Sequence, residues 1–221
     1  MNSREIKDHL YTQVSRIGSA LGSPKRLELL EVLAQGEKSV EALAHAASID
    51  VKLASAHLRV LRNASLVDVR PDGKSRVYRL SGADVSDLWV ALRSVAESRL
   101  AELQVAMNRL FSGPERLTLE NAQSLLKKVR AGEVVLLDVR PESEYRTAHI
   151  PGARSVPLDE LEARIQELPQ DKDVIAYCRG PFCVMSEAAV TLLAQHGLSA
   201  RKVAEGVPEW KAAGLPIEAT V

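Results

Sequence analysis

The chain has two cysteines, and both lie in one short segment that follows an apolar run. The run 173–176 is typical of a buried strand, and 187–196 repeats apolar residues at helical spacing before Gly197. Cys178 is therefore expected on a tight loop between a strand and a helix. Backbone N–H groups at such a turn and the helix N-terminus favour a thiolate over a thiol. The segment predicts a nucleophilic sulfur.

The rest of this loop forms the expected substrate-binding surface. It comprises Arg179, Gly180, Pro181, Phe182 and Cys183. Arg179 places a cation next to Cys178. Cys183 has two interpretations: a resolving thiol that attacks a sulfur-loaded Cys178, or a small residue packed in the first helical turn. Cys178 also has a second interpretation, as a small buried apolar residue at a strand end.

Length and composition indicate a soluble protein of one large or two small domains. The chain has 221 residues, 46% of them apolar, and no net charge. Residues 51–80, however, carry seven Lys or Arg against two Asp or Glu, which indicates an anionic partner. The N-terminal segment lacks an apolar signal core, and no run reaches membrane-spanning length. These features predict a cytoplasmic protein with reduced cysteines and no membrane partner.

The first half predicts a mainly α winged helix-turn-helix. Two helices precede a short third helix at 40–47, and Asp50 caps a fourth that runs to about residue 64. The period then changes to alternation at 66–70 and 75–80, which predicts a hairpin around the turn 71–74. A basic helix followed by a basic hairpin is typical of a helix that enters the major groove of DNA beside a wing.

Polar residues on this helix and hairpin are the expected DNA contacts. The phosphate contacts are Lys52, Arg59, Arg62, Lys74 and Arg76, and the base-edge contacts are Ser55 and His57. A merely solvated basic face is the alternative interpretation, and His57 is equally interpreted as a structural histidine. A long amphipathic helix is expected at 83–110, and together with the first helix it predicts a homodimer interface.

Residues 5–110 resemble the ArsR/SmtB-type winged-helix repressors. The resemblance is carried by Ser-Ala-His-Leu-Arg-Val-Leu at 55–61, Ala-Ser-Leu-Val at 64–67 and Asp-Gly-Lys at 72–74. It implies a transcriptional regulator that binds double-stranded operator DNA. Many members sense metals through cysteines on the third helix, but 40–47 has no Cys and the histidines have no ligand spacing. We therefore expect no metal and no cofactor.

The second half predicts an α/β domain with a mainly parallel sheet. After a linker at 111–116, a helix capped by Thr118 is expected to reach Val129, followed by alternating strands and helices. Catalytic groups in such sheets lie at the C-terminal ends of the strands, where Cys178 falls. The predicted domains are 1–110 and 117–221.

This half resembles the rhodanese (sulfurtransferase) domain. The matching segments are Leu-Asp-Val-Arg at 137–140, Glu-Tyr at 144–145, His-Ile-Pro-Gly-Ala at 149–153, 174–178, and Gly-Val-Pro-Glu-Trp at 206–210. The resemblance implies that Cys178 takes a sulfane sulfur from a donor such as thiosulfate or polysulfide. It would hold the sulfur as a persulfide and pass it to a thiol. Asp138 and Arg140 are expected to tie their strand to neighbouring loops.

The loop departs from the common rhodanese pattern at its sixth position, where Cys183 replaces an arginine. This change counts against a phosphatase or arsenate reductase, whose anion clamp needs that arginine. The sequence thus predicts a DNA-binding regulator whose rhodanese domain senses or transfers sulfane sulfur. The alternatives are a thiosulfate-type sulfurtransferase with an accessory DNA-binding domain, and a regulator whose second domain is catalytically dead.

Overall fold

A computed structural model of the chain describes residues 2–110, 117–118 and 120–220. The chain separates into two compact units, Met1–Trp89 and Val90–Val221. The predicted linker at 111–116 lies outside the described residues, and the predicted domain boundaries stay a prediction. Among the residues described, no helix has the length and apolar character needed to cross a membrane.

The first unit is built from helices and one small antiparallel sheet. Its elements are α1 (Ser3–Leu21), α2 (Pro24–Leu33), β1 (Lys38–Ser39), α3 (Val40–Ala46), α4 (Val51–Asn63), β2 (Val67–Asp72), β3 (Ser75–Leu80) and the start of α5 (Ala83–Arg99). The strands are ordered β1-β3-β2. Leu29, Leu43, Leu58 and Leu61 are fully buried in its core. The predicted winged helix-turn-helix is confirmed.

The second unit is an α/β domain with a four-stranded parallel sheet ordered β5-β4-β6-β7. Its elements after α5 are α6 (Ala101–Leu110), α7 (Ala122–Ala131), β4 (Val134–Asp138), α8 (Glu142–Thr147), β5 (Arg154–Ser155), α9 (Leu158–Arg164), β6 (Asp173–Tyr177), α10 (Met185–Gln195), β7 (Ala200–Lys202) and α11 (Val207–Ala212). The predicted fold class is confirmed.

Alternating residues of the central strands feed two apolar cores, one on each face of the sheet. On β6, Val174 and Ala176 pack on the side of α9 and α10, whereas Ile175 and Tyr177 pack on the side of α7 and α11. Both faces are covered, so the strand is a continuous apolar run, as parallel strands usually are. Cys178 follows directly after this buried strand.

Two predicted helix features differ from the structure. The helix expected at 83–110 is divided into α5 and α6, with Leu100 between them. The side-chain amide of Gln104 donates to the carbonyl of Glu97, which helps to satisfy the backbone where the helix is interrupted. The helix expected from Thr118 instead begins after Asn121, whose side chain accepts from Ser124 N–H at 2.9 Å. Thr118 N–H bonds to the carbonyl of Lys202.

Candidate functional site

The loop 178–184 connects the end of β6 to the start of α10. A backbone hydrogen bond of 3.0 Å from Cys183 N–H to Gly180 C=O closes its turn. Gly180 has a φ of +151°, which other residues rarely adopt. A Cβ atom there would lie 3.1 Å from Glu209 Oε2 and 3.2 Å from Arg93 Nη1. The backbone conformation therefore favours glycine here, and a side chain would also crowd Glu209 and Arg93.

Cys178 is buried, with 2% of its surface exposed, yet its sulfur has polar neighbours. Its Sγ lies 3.3 Å from Ser186 Oγ and 3.5 Å from the carbonyl oxygen of Cys183. Burial raises the pKa of Cys178, but hydrogen bonds from the Cys183 and Ser186 side chains and from the backbone N–H groups of Ser186 and Gly180 lower it to about 7. The sulfur is enclosed but close to donors that stabilise its anion.

Ser186 is a site residue that the sequence analysis assigned no role. It is the second residue of α10, it is buried, and its hydroxyl faces the Cys178 sulfur. The start of α10 adds the partial positive charge of a helix N-terminus. A serine or threonine shortly after the loop cysteine was the available signal, because helix N-termini commonly carry such hydroxyls.

Cys183 is half-buried, and its pKa is shifted in the opposite direction from the pKa of Cys178. A hydrogen bond to the Cys178 sulfur raises the pKa of Cys183, with burial and the negative charge of Cys178 acting in the same sense. Cys183 is therefore the protonated member of the pair, and it donates to the thiolate of Cys178. Both cysteines are free thiols.

Arg179, the residue after Cys178, is paired with a carboxylate of a neighbouring helix. Its guanidinium forms a bidentate ion pair with Glu144, with Nε to Oε2 at 3.0 Å and Nη2 to Oε1 at 2.8 Å. Glu144 lies on α8, and its side chain is 1% exposed. The pair fastens the loop to α8, so Arg179 helps to hold the loop. The predicted effect of its charge on Cys178 stays a prediction.

Asp138 and Arg140 form a fully buried ion pair at the end of β4, with 2.9 Å between Arg140 Nε and Asp138 Oδ1. Arg140 Nη2 also donates to the carbonyl of Ala148 at 2.7 Å. The hydroxyl of Tyr177 donates to Asp138 Oδ2 at 2.5 Å and accepts from the backbone N–H of Ile150. These bonds tie β4 and β6 to the segment after α8.

A small apolar pocket of about 70 Å³ opens beside the loop. Met107, Leu117, Pro181 and Val203 contribute to its walls, together with Cys183 and Ser186. Cys183 and Ser186 are also the side chains that contact the Cys178 sulfur. A donor in this pocket would approach the site from the side of these two residues. No group of three or more metal-ligating side chains occurs in the described part of the chain.

The predicted DNA contacts lie on an exposed face of the first unit. Asp50 caps α4 by accepting from Leu53 N–H at 2.8 Å, and α4 buries Ala54, Leu58 and Leu61. The opposite face carries the predicted contacts of α4, and the hairpin β2–β3 carries the rest. Lys52, Arg59, Arg62, Lys74 and Arg76 are exposed, whereas Ser55 and His57 are half-buried.

Four of these residues share one groove between α4 and the hairpin. Ser55, Arg59, Arg62 and Arg76 line a cleft of about 310 Å³. Lys52 lies in the first turn of α4, and Lys74 lies at the hairpin turn. Three guanidinium groups in one open groove form a surface suited to phosphate groups.

The fold and the sites thus define a winged helix-turn-helix joined to an α/β unit with a cysteine at the mouth of its sheet. Residues 23–69 match the model of the arsR family of bacterial regulatory proteins, and residues 121–213 match that of the rhodanese-like domain. The chain is 42% identical to the HTH-type transcriptional regulator Rv0324 of Mycobacterium tuberculosis, over 96% of this chain and 93% of that protein. It belongs to the ArsR-family transcriptional regulators that carry a rhodanese-like domain.

Each half also has a separate relative. A sulfurtransferase of Allochromatium vinosum is 33% identical over 45% of this chain and 92% of its own length. A homodimeric winged helix-turn-helix DNA-binding domain of Mycobacterium bovis is 39% identical, over 46% of this chain and 93% of that one, with a TM-score of 0.42. Both predicted family resemblances are confirmed by the matched models.

Proposed function

We propose that a sulfane sulfur bound to Cys178 as a persulfide is the signal that this regulator converts into a change of DNA affinity. The observation that carries the proposal is the Cys178 sulfur, whose hydrogen bonds lower its pKa to about 7 within a chain that also carries an ArsR-family domain. A thiol with this pKa is about half thiolate at neutral pH, and the thiolate is the nucleophile.

The loading step needs only the thiolate and a sulfane donor. With thiosulfate, the Cys178 thiolate attacks the outer sulfur, a new S–S bond forms, and the old S–S bond breaks as sulfite leaves with the electron pair. The product is an anionic persulfide. The hydroxyl of Ser186 and the N–H groups of Gly180 and Ser186 are the donors available to stabilise it. A thiol acceptor then attacks the outer sulfur, and Cys178 leaves as thiolate.

The pocket beside the loop favours a donor of low charge. Its walls include Met107, Leu117, Pro181 and Val203. Lys202 also lines the pocket, but its ammonium is paired with Glu187, as the guanidinium of Arg179 is with Glu144. The doubly charged thiosulfate would lose its hydration there with little compensation. An organic persulfide carries a single negative charge, so we infer that it loads Cys178 faster than thiosulfate does.

Cys183 has two roles in this scheme. As the protonated partner it donates a hydrogen bond to Cys178. As a resolving thiol it would attack the inner sulfur of the persulfide, form a Cys178–Cys183 disulfide and release hydrosulfide. Its raised pKa favours the first role at neutral pH, and peptide mass mapping after loading distinguishes a persulfide from a disulfide.

The DNA-binding form is a homodimer in which α4 of each subunit enters the major groove. Ile6, Leu10, Tyr11 and Val14 of α1 are 47–69% exposed, an apolar face that a second copy would bury. Arg59, Arg62 and Arg76 would contact phosphates of the operator, with Lys52 and Lys74 at the ends of this surface. Ser55 and His57 would reach base edges.

A gel shift on the DNA upstream of the protein's own gene tests the proposal. Reduced and polysulfide-treated protein are compared, with Cys178→Ser as the matched variant and mass spectrometry to count added sulfur atoms. We expect a different affinity after loading in the wild type and none in Cys178→Ser. Equal affinities of reduced and loaded wild-type protein would contradict the regulatory proposal.

A sulfurtransferase with an accessory DNA-binding domain is the second candidate, favoured by the same low pKa of Cys178. Its test is the rate of thiocyanate formation from thiosulfate and cyanide. Turnover that is lost in Cys178→Ser, with DNA affinity unaffected by loading, would support the enzyme over the sensor. If neither the wild type nor Cys178→Ser takes up sulfur, the result would support a catalytically dead rhodanese-like domain.

A further inference from the structure

Arg93 on α5 is a buried arginine whose contacts reach the nucleophile's loop. It belongs to the second unit, and its side chain is 4% exposed. Nη1 lies 3.0 Å from Glu209 Oε1, and Nε lies 3.0 Å from Glu97 Oε1. Its guanidinium also lies over the ring of Phe182, with 5.7 Å to the ring centroid. Phe182 is part of the loop that carries Cys178.

Glu209 brings this arginine next to the backbone that stabilises the sulfur. Its Oε2 accepts from the backbone N–H of Gly206 at 2.6 Å in the first turn of α11. Glu209 and Arg93 both lie within 3.2 Å of the position that a Cβ would take at Gly180. The ion pair therefore packs directly against Gly180.

Close backbone packing also holds the loop against the start of α11. A Cβ at Gly206 would lie 2.6 Å from the carbonyl oxygens of Cys178 and Arg179, so α11 begins in contact with the loop. Movement of the Gly180–Phe182 segment would therefore disturb the Arg93–Glu209 pair. Displacement of Arg93 would likewise affect the loop, since its guanidinium lies over the Phe182 ring in a cation–π contact.

We propose that Arg93 is a positioning residue for Cys178: through Glu209 and Phe182 it holds the loop so that the Gly180 N–H points at the sulfur, and it passes a change in the loop to α5. The proposal rests on the proposed function of Cys178 as the nucleophile. Arg93 touches no reacting atom.

A persulfide adds one sulfur atom to an enclosed site, and the loop must accommodate it. Because interiors are close-packed, the displacement is passed to neighbouring groups. Arg93 is one of those neighbours, and α5 also supplies Val85 to the core of the first unit. The residue range of α5, Ala83–Arg99, spans the boundary between the units Met1–Trp89 and Val90–Val221.

The rate of Cys178 alkylation by iodoacetamide as a function of pH tests the positioning role in the full-length protein. We expect the midpoint to rise by about one pH unit in Arg93→Met, because the loop donors lose their alignment. Arg93→Lys, which keeps the charge opposite Glu209, should recover part of the shift. Arg99→Met, an exposed arginine on the same helix, should leave the midpoint unchanged.

Two further variants keep the test valid if Arg93→Met does not fold. Phe182→Leu leaves the ion pair intact and should still raise the midpoint, and Arg93→Met with Glu209→Gln avoids a buried unpaired carboxylate. A wild-type midpoint in all folded variants would overturn the positioning role. Alkylation needs no sulfane donor, so it tests the positioning role even where the proposed sulfur loading fails.

The proposed passage of a change from the Cys178 loop through Arg93 to α5 is tested by the ratio of operator affinities before and after sulfur loading. We expect the ratio of the wild type to fall towards one in Arg93→Met and to persist in Arg99→Met. A wild-type ratio in Arg93→Met would overturn the link but leave the proposed function standing. A ratio of one in the wild type itself would overturn both the link and the regulatory function.

Discussion

The proposed DNA-binding face and the proposed sulfur site use charged residues in opposite ways. On the first, Arg59, Arg62 and Arg76 are exposed and line an open groove. At the second, Arg140 and Glu144 are buried and held by partners. An exposed guanidinium keeps its hydration and acts separately, whereas a buried one depends on its partner. Single substitutions in the groove should therefore each lower DNA affinity by a small amount. A single substitution in a buried ion pair should cost much of the free energy of unfolding.

The largest effect is expected from the buried ion pair at the end of β4. Replacing Arg140 by Leu leaves the carboxylate of Asp138 buried without its main partner, which costs about 3–5 kcal/mol of the free energy of unfolding. Urea unfolding followed by circular dichroism measures the loss. Arg146→Leu, which removes an exposed pair with Glu142, is the control and should cost less than about 1 kcal/mol.

If Arg140→Leu and Arg146→Leu cost the same, the contrast between buried and exposed charges fails. The buried pair also supports the strand ends beside Cys178 through Tyr177. The destabilised variant should therefore lose sulfur loading at a temperature where Arg146→Leu retains it.

The next effect concerns the groove of the first unit. Arg59→Ala and Arg76→Ala should each weaken binding to all DNA sequences alike and reduce the slope of log affinity against log salt by about one. Fluorescence anisotropy over a series of salt concentrations gives the slope. Arg154→Ala, an exposed arginine of β5, is the matched control. An unchanged slope in both groove variants would place the DNA contacts elsewhere.

The difference between the two sites also explains what the sequence could predict. The loop that carries Cys178 and the basic helix before its hairpin follow from local patterns, because neighbouring residues decide a strand end, a turn or an amphipathic face. Partners distant in the chain have no such signal. Glu144 pairs with Arg179 across 35 positions, and Arg93 reaches Glu209 across more than a hundred.

The same limit applies to features decided by a single side chain. The helix predicted at 83–110 is interrupted at Leu100. Near this break the side chain of Gln104 donates a hydrogen bond to the backbone carbonyl of Glu97, and the spacing of apolar residues gives no sign of that bond. Thr118 and Asn121 are both capping residue types, and the helix begins after Asn121 because the Thr118 backbone pairs with Lys202. At Thr118 a tertiary contact overrode the local preference.

A smaller effect is expected at the sulfur itself. Ser186→Ala removes a hydrogen bond to the thiolate, and such bonds to charged groups are worth about 1.5–3 kcal/mol. The pKa of Cys178 should rise from about 7 by about one unit. At pH 7 the thiolate fraction then falls from about one half to about one tenth, and alkylation slows about fivefold.

The direction of this pH dependence follows from the fact that the thiolate, and not the thiol, reacts with the alkylating reagent. Above the raised pKa both proteins are fully thiolate and react alike, so the difference is confined to neutral and lower pH. Ser143→Ala, on the exposed surface of α8, controls for the loss of a hydroxyl. Equal midpoints in Ser186→Ala and the wild type would mean that Ser186 does not stabilise the anion.

The smallest effect is expected at the N-terminal cap of α4. Asp50→Ala removes the acceptor of the Leu53 N–H and should cost about 1 kcal/mol of unfolding free energy, whereas Asp50→Ser retains a cap and should cost less. Calorimetry of the full chain measures the shift. Since Ala54, Leu58 and Leu61 still anchor α4 in the core, DNA affinity below the transition should persist. Loss of DNA binding in a folded Asp50→Ala protein would contradict the contrast between the two sites. It would mean that the exposed groove, like the buried ion pair, depends on one single contact.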